Sequence, residues 1–186
     1  LVYNHYKTDK ESSIVHNNLK DMKDVLTYSL QYQKGAWVLH MLRNYIGEDN
    51  FRKGIRNYYK KYYNSTTTTN QFKTEMEVVS GMNLDTFFDQ WLYKGGNMVL
   101  DGNWKFDEKK GRIEVNLNQV QNDGYLFEMP VELGISYNDK NLEKIQTVKL
   151  EKEKGRFYIA SDSKPISIKI DPNTKLLAIW DFSEIK

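Results

Sequence analysis

The chain has 186 residues, of which 28% are charged and 39% are hydrophobic, and its net charge is +2. A charge this small argues against a surface built for nucleic acid or for an anionic membrane. The sequence has no apolar run long enough to cross a bilayer, and without cysteine it can form neither disulfides nor thiolate zinc sites. The sequence shows no secretory leader. Because it starts with Leu1 and not with methionine, we expect a piece of a longer protein, whose compartment the sequence leaves open.

Residues 36–95 carry apolar side chains at helical spacing and predict four helices in succession. The first helix ends at Gly47, and the second opens on two acidic residues, which suit a helix N-terminus. Thr68 followed by Gln71 has the form of a capping box and predicts the start of the third helix. The fourth begins near Leu84 and ends at a pair of glycines. The side chains expected to face inward are Val38, Leu39, Met41, Leu42, Tyr45, Ile46, Phe51, Ile55, Tyr58, Tyr59, Tyr62, Phe72, Met76, Val79, Phe87, Phe88, Trp91 and Leu92.

From Leu100 onward the hydrophobic period changes to two, which is typical of strands with one buried and one solvated face. Turn-like segments rich in Gly, Asn, Asp and Lys separate the apolar stretches. Pro130 lies within one stretch and cannot donate a ladder hydrogen bond, so its strand is expected at a sheet edge or with a bulge. The predicted strands are 100–106, 112–118, 127–137, 145–150, 156–160, 165–170 and 176–182.

The change of period near residues 97–100 predicts an α+β chain in two parts. Residues 1–97 form the helical part, in which the first 30 residues are only weakly patterned. Residues 98–186 form an antiparallel β-sandwich, because seven short strands at this spacing are typical of that architecture.

Motifs alone do not complete an active site. The three histidines, His5, His16 and His40, fall outside HExxH or any other metal-ligand spacing, and His40 is expected to pack on its helix. The glycines lack the spacing of a phosphate-binding loop, and there is no Gly-x-Ser-x-Gly elbow. Most carboxylates alternate with lysines, as on a solvated face.

Tyr32 lies where a polar segment passes into the first helix, and it allows two interpretations. In one, its ring packs and its hydroxyl bonds to the backbone, as for most tyrosines at such a position. In the other, the hydroxyl projects toward a cleft, since the residues before it look irregular. The pair Gly35 and Ala36 lacks side-chain bulk one turn later, which would let another element approach closely.

Several blocks of the sequence together resemble aminopeptidase N-type zinc metallopeptidases. They are "YQKGAWVLHML", "IGEDNFRKGIRNYYKKY" and "FKTEMEVVSGMNLDTFFDQWLYKGG", and they occur in the order found in the family. "MPVELGIS" further resembles a strand of the sandwich that follows the family's catalytic domain. The resemblance covers roughly residues 14–137 and implies that 1–97 are the helical end of a thermolysin-like catalytic domain.

The resemblance also implies a role for Tyr32, because it matches a tyrosine that is catalytic in the family. A zinc-bound hydroxide attacks the scissile carbonyl, and negative charge gathers on the carbonyl oxygen. A phenol keeps its proton at neutral pH and can donate a hydrogen bond to that oxygen. Tyr32 is therefore expected to stabilise the tetrahedral intermediate formed from a peptide substrate.

The zinc motif of the family, HExxH with a later glutamate, is missing from this chain, as is the Gly-x-Met-Glu-Asn type of loop. Both precede the tyrosine in the family, so we expect them in an upstream catalytic half of the same parent chain. Zinc is then expected in the intact parent and not in this fragment, which alone should be inactive. Smaller departures are Asn17 and Met98, which stand where proline is common in the family.

Two other functions stay open at this stage. The chain could be a non-catalytic binding or docking module, from a family member that has lost its metal. It could also be a sugar-binding sandwich, an alternative that depends only on the aromatic residues Trp104, Tyr125 and Trp180 being exposed. Those three side chains are expected instead in the core or against the helices.

Overall fold

The computed structural model describes residues 1–16, 26–122, 124–137 and 143–185. The chain divides into two compact units, Leu1–Gly95 and Gly96–Lys186. The first unit is helical and the second is built of strands, which confirms the predicted α+β class. The assignment of 1–97 to a catalytic domain and of 98–186 to a separate sandwich domain stays a prediction.

The first unit consists of short and medium helices joined by tight connections. None of the helices in the described ranges is both long enough and apolar enough to cross a bilayer. They are α1 (Val2–Tyr6), the π-helix π1 (Tyr28–Lys34), α2 (Gly35–Ile46), α3 (Glu48–Lys61), α4 (Thr69–Ser80), α5 (Asp85–Phe88) and the π-helix π2 (Asp89–Tyr93).

Apolar side chains from α2, α4, α5 and π2 form the core of this unit. The prediction of inward-facing residues is confirmed for Val38, Met41, Leu42, Ile46, Met76, Phe87, Phe88, Trp91 and Leu92, all of which are buried. It is wrong for Leu39, Ile55 and Tyr59, whose side chains are exposed. Leu39 and Ile55 lie beside the buried residues Val38 and Gly54, and the predicted apolar arc is too wide by one position at each of them.

Helix α3 meets α4 through a glycine. A Cβ atom at Gly54 would lie 2.5 Å from Sδ of the buried Met76 and 3.2 Å from Cγ2 of Val79. The bare backbone at this position therefore lets the two helices pack closely, while Tyr59 on the far side of α3 faces solvent.

The capping box predicted at the start of α4 is confirmed. The amide of Gln71 donates to Oγ1 of Thr68 over 3.3 Å, and the amide of Thr68 donates to Oε1 of Gln71 over 2.8 Å. Two N–H groups that the first helical turn would leave without partners are thereby satisfied. At the other end, Gly81 adopts a positive φ of 68° and closes the helix in the left-handed conformation.

Replacing Thr68 with alanine should lower the free energy of unfolding of the chain by about 1 kcal/mol, because the cap bond to Gln71 is lost. Chemical denaturation followed by circular dichroism measures the change. Thr66→Ala, an exposed threonine just before the cap, serves as the matched control and should stay within about 0.5 kcal/mol of the parent sequence. Equal stability of the two variants would contradict the capping role.

The second unit holds all seven predicted strands, arranged in two sheets. One sheet has the order β5-β2-β1-β7 and the other has the order β4-β3-β6. The strands are β1 (Met98–Asp107), β2 (Arg112–Gln119), β3 (Met129–Ser136), β4 (Glu143–Leu150), β5 (Lys154–Ala160), β6 (Ser167–Ile170) and β7 (Ala178–Glu184).

The sheets depart from the predicted antiparallel arrangement in one pair, β1 and β7, which run parallel with Met98 opposite Ala178. The prediction that Pro130 would mark an edge strand or a bulge is also wrong, because β3 is the central strand of its sheet. Its ladder with β6 covers only residues 133–136, so the missing N–H of Pro130 removes no bond on that side.

Alternate residues of the strands point into a shared core, as the period of two predicted. Trp104, at 3% exposure, belongs to this core. The fully buried positions include Met98, Ile113, Val115, Leu117, Phe127, Val131, Leu133 and Ile135.

A buried glutamine closes the loop that follows β2. Nε2 of Gln119 donates to the carbonyl of Phe127 over 2.8 Å, and the amide of Phe127 donates back to Oε1 over 2.9 Å. Gln119 is 4% exposed. Its side-chain amide satisfies the backbone N–H and C=O of the buried Phe127, as a neighbouring strand would do.

Gln119→Met should therefore lower the free energy of unfolding by about 2–3 kcal/mol, since two buried hydrogen bonds lose one partner each. Asn118→Met, one residue earlier on the other face of β2, is the matched control and should cost less than about 1 kcal/mol. Denaturant midpoints measure both. A loss at Gln119 no larger than at Asn118 would show that the side chain is replaceable.

Candidate functional site: the Tyr32 turn

Tyr32 lies within the π-helix Tyr28–Lys34, which continues into α2 at Gly35. The expectation that irregular backbone precedes Tyr32 is therefore wrong, since four residues of helix come before it. Amides of Leu30 and Gln31 both donate to the carbonyl of Thr27 and form the first turn. Wide helical turns of this type occur mostly as short stretches and are frequent at functional sites.

The outer face of π1 carries two tyrosines. Tyr28 and Tyr32 are 61% and 57% exposed, and their rings stack with centroids 5.8 Å apart at an angle of 28°. Within the described ranges, no residue forms a hydrogen bond with the Tyr32 hydroxyl. The first interpretation of Tyr32, a packed ring with a backbone partner for its hydroxyl, does not describe this environment.

The inner face of π1 is held against the rest of the helical unit. Leu30 is 2% exposed and Lys34 is fully buried. Nε2 of Gln31 donates to the carbonyl of Ile14 over 3.1 Å, and Oγ of Ser29 lies 3.0 Å from Nδ1 of His5. Residues on both sides of Tyr32 are thus fixed, so the exposed phenol extends from an ordered turn.

Lys34 is the feature of this site that sequence analysis did not single out. Its Nζ donates to the Tyr6 hydroxyl over 2.9 Å and lies 4.8 Å from the centroid of the Tyr6 ring. The Tyr6 hydroxyl in turn donates to the carbonyl of Ser12 over 3.0 Å. One sequence signal could have indicated that Lys34 is buried. It lies four residues after Leu30 and four before Val38, on the same apolar face of the helix.

The segment after α1 is itself fixed at several points. Asp9 accepts hydrogen bonds from the Ser12 hydroxyl and amide, and the hydroxyl holds the pKa of this carboxyl below its ordinary value. The amide of Val15 donates to the carbonyl of Leu92 over 2.9 Å. A Cβ atom at Gly95 would lie 2.3 Å from the carbonyl of Lys10, so this glycine is required where the chain passes the segment. These contacts fix the position of the Ser12 carbonyl, which accepts the hydrogen bond from the Tyr6 hydroxyl.

The two small residues after the turn leave open space. A Cβ atom at Gly35 would meet only the carbonyl oxygen of Leu30, at 3.8 Å, and Ala36 is exposed. The close neighbour expected at this pair is not found among the described residues.

The histidines are not gathered into a metal site. In the ranges that the structure describes, no group of three or more His, Cys, Asp or Glu side chains could hold a metal ion. His5 contacts Ser29, and the ring of His40 packs edge-on against Trp37 with centroids 5.4 Å apart. The described residues therefore do not provide the ligands of the zinc that the family resemblance implies for the parent protein.

The sugar-binding alternative loses one of its three residues. Trp104 is buried in the sandwich core, as expected, and offers no exposed face to a sugar. The expectation of a core position is wrong for Trp180, which is 42% exposed on β7 beside Leu100 of β1. The exposed aromatic platform that this alternative requires is missing from the described strands.

The geometry at Tyr32 is suited to hydrogen-bond donation. A phenol on an ordered turn, with its hydroxyl free of described partners, can donate a hydrogen bond to an oxygen brought to it.

Sequence comparison relates this chain to aminopeptidases. Residues 3–91 match the model of the Peptidase family M1 domain. A probable aminopeptidase 2 of Sulfurisphaera tokodaii is 31% identical over 142 residues, covering 76% of this chain and 17% of that protein. The aminopeptidase N of Streptomyces lividans is 35% identical over 85 residues, covering 45% of this chain and 10% of that protein.

The fold is also found in a solved structure. Aminopeptidase A of Legionella pneumophila, in complex with aspartic acid, matches with a TM-score of 0.76 over 93% of this chain and 20% of its own, at 14% identity. The chain spans no more than about a fifth of the length of these relatives. The domain match over residues 3–91 and the aminopeptidase relatives support a fragment of an M1 aminopeptidase, and the chain corresponds to part of the length of such proteins.

Proposed function

We propose that the chain is the C-terminal portion of a zinc-dependent aminopeptidase that removes N-terminal residues from peptides, and that Tyr32 stabilises the tetrahedral intermediate. The observation that carries the proposal is a 57% exposed phenol on a turn whose opposite face is buried. The names of the relatives, which are aminopeptidases, supply the reaction class.

The role of Tyr32 follows from where charge develops during peptide hydrolysis. As the scissile carbonyl becomes tetrahedral, its oxygen gains negative charge, and a donor aimed at that oxygen binds it more tightly than it binds the planar substrate. A donor held in place beforehand needs no reorganisation at the moment of reaction. The burial of Leu30 and Lys34 and the hydrogen bond of Gln31 to Ile14 would supply this preorganisation.

The remaining machinery is proposed to reside in the upstream catalytic half of the same parent chain. The described residues do not offer a zinc-binding set of side chains, so zinc would be bound by that half and not by this fragment. The fragment alone would be inactive, and its other residues would act as scaffold.

An apolar stripe on the outer face of π1 and α2 supports this assignment. Tyr28, Tyr32, Ala36 and Leu39 follow one another at helical spacing and are all exposed. An exposed row of this kind is a surface that another element of a larger protein could cover. We assign Tyr28, Ala36 and Leu39 to the contact with the upstream half, with Tyr32 between them facing the substrate.

In the full-length parent, Tyr32→Phe should lower kcat about 10²–10³-fold, because the ring remains and only the donor to the carbonyl oxygen is lost. Steady-state kinetics on an aminoacyl chromogenic amide measures the effect, with zinc content and thermal stability determined in parallel. Tyr63→Phe is the matched control, since Tyr63 is a similarly exposed tyrosine in the turn that follows α3. A Tyr32→Phe enzyme that turns over as fast as the Tyr63→Phe enzyme would exclude the proposed role.

The isolated chain, residues 1–186, should show no turnover of the same substrate, with or without added zinc. The physical reason is that the described residues do not offer a zinc-binding set of side chains. Release of the chromophore over a buffer blank measures this. Zinc-dependent turnover that a chelator abolishes would contradict the proposal that the catalytic metal site lies upstream.

A further inference from the structure

The buried lysine two residues after Tyr32 requires an explanation. Lys34 is the one lysine with no exposed surface among the described residues, and it extends from the same π-helical turn as Tyr32. Burying an ammonium group removes its hydration, and an apolar side chain of similar length is often the more stable choice at a buried position. Stability alone therefore does not account for a lysine here.

Lys34 makes a hydrogen bond and a cation–π contact, which depend on direction, whereas the packing contacts of an apolar side chain do not. Its Nζ donates to the Tyr6 hydroxyl over 2.9 Å and lies 4.8 Å from the centroid of that ring, so both the hydroxyl and the ring of Tyr6 define its position. A methionine could fill the volume, but it could slide and rotate within it.

The hydrogen bond continues into a fixed piece of backbone. The Tyr6 hydroxyl donates to the carbonyl of Ser12 over 3.0 Å. The segment around Ser12 is held by Asp9, which accepts from the Ser12 amide over 3.1 Å, and by the Val15 amide, which donates to the carbonyl of Leu92. Lys34 thus connects the turn that bears Tyr32 to the end of the helical unit through an ordered path.

We propose that Lys34 is a positioning residue for Tyr32: its buried ammonium, bonded to Tyr6, fixes the π-helical turn that presents the Tyr32 hydroxyl to the substrate. This inference rests on the proposed function of Tyr32. The consequence of losing it is kinetic, because a donor displaced by even about 1 Å from the developing oxyanion loses most of its effect on the rate.

Two variants remove the connection in different ways. Lys34→Met keeps the length of the side chain and removes the ammonium, and Tyr6→Phe keeps the ring under the ammonium and removes only the hydroxyl. In the full-length parent, we expect Lys34→Met to lower kcat roughly 10- to 100-fold and Tyr6→Phe roughly 3- to 10-fold, with KM changed less than about 2-fold. Lys53→Met, at an exposed position of α3, is the matched control and should leave kcat unchanged.

A double-mutant cycle separates positioning from general damage. If Lys34 acts through Tyr32, then Lys34→Met and Tyr6→Phe should change kcat by less than about 2-fold once Tyr32→Phe is already present. Losses of the same size in both backgrounds would overturn the inference, since they would show a structural effect that does not pass through the Tyr32 hydroxyl. Unchanged kcat in the single variants would also overturn it.

Different results would contradict the proposed function of Tyr32 and the positioning role of Lys34. Near-normal turnover of Tyr32→Phe alone would remove the proposed function, whereas a slow Tyr32→Phe enzyme beside a fully active Tyr6→Phe enzyme would remove only the role of Lys34. Should Lys34→Met not fold, Tyr6→Phe decides by itself, because it deletes a single oxygen and keeps the packing of the ring.

Discussion

The two-sided packing of the turn Tyr28–Lys34 is the constraint on which the site depends. A side chain can be both exposed and well placed only if its backbone is held from behind. Here Leu30 and Lys34 are buried on one face, while Tyr28 and Tyr32 stack on the other. The separation of the two faces within seven residues leaves the Tyr32 side chain exposed on a backbone that is packed from the other side.

Sequence patterns predicted those features of the fold that depend on local chemistry. The capping box at Thr68 and the helix end at Gly47 follow from side-chain and backbone preferences that act within a few residues. The seven strands follow from an alternation that a sandwich imposes on its own sequence. The exposed faces of Leu39 and Ile55 were missed because both residues border the buried stripe, where spacing alone does not separate packed from solvated positions.

Features set by the pairing of distant segments could not be predicted from the sequence. The central place of β3 and the parallel pairing of β1 with β7 depend on which distant strands come together. At the site, the spacing of the residues and the family resemblance singled out Tyr32. The buried state of Lys34 could not be read in the same way, since it depends on a contact with Tyr6, 28 positions earlier in the chain. Burial of a charged residue is a property of its tertiary neighbours and leaves little trace in local composition.

The parallel pairing of the first and last strands has a consequence for biogenesis. During synthesis, β1 leaves the ribosome long before β7, and its edge opposite β2 stays without a partner until nearly the whole sandwich has been made. At ordinary elongation rates of about 5–20 residues per second, this interval lasts several seconds. An unpaired edge of this kind can pair with other chains, so the second unit is open to chaperone binding and to aggregation during this interval.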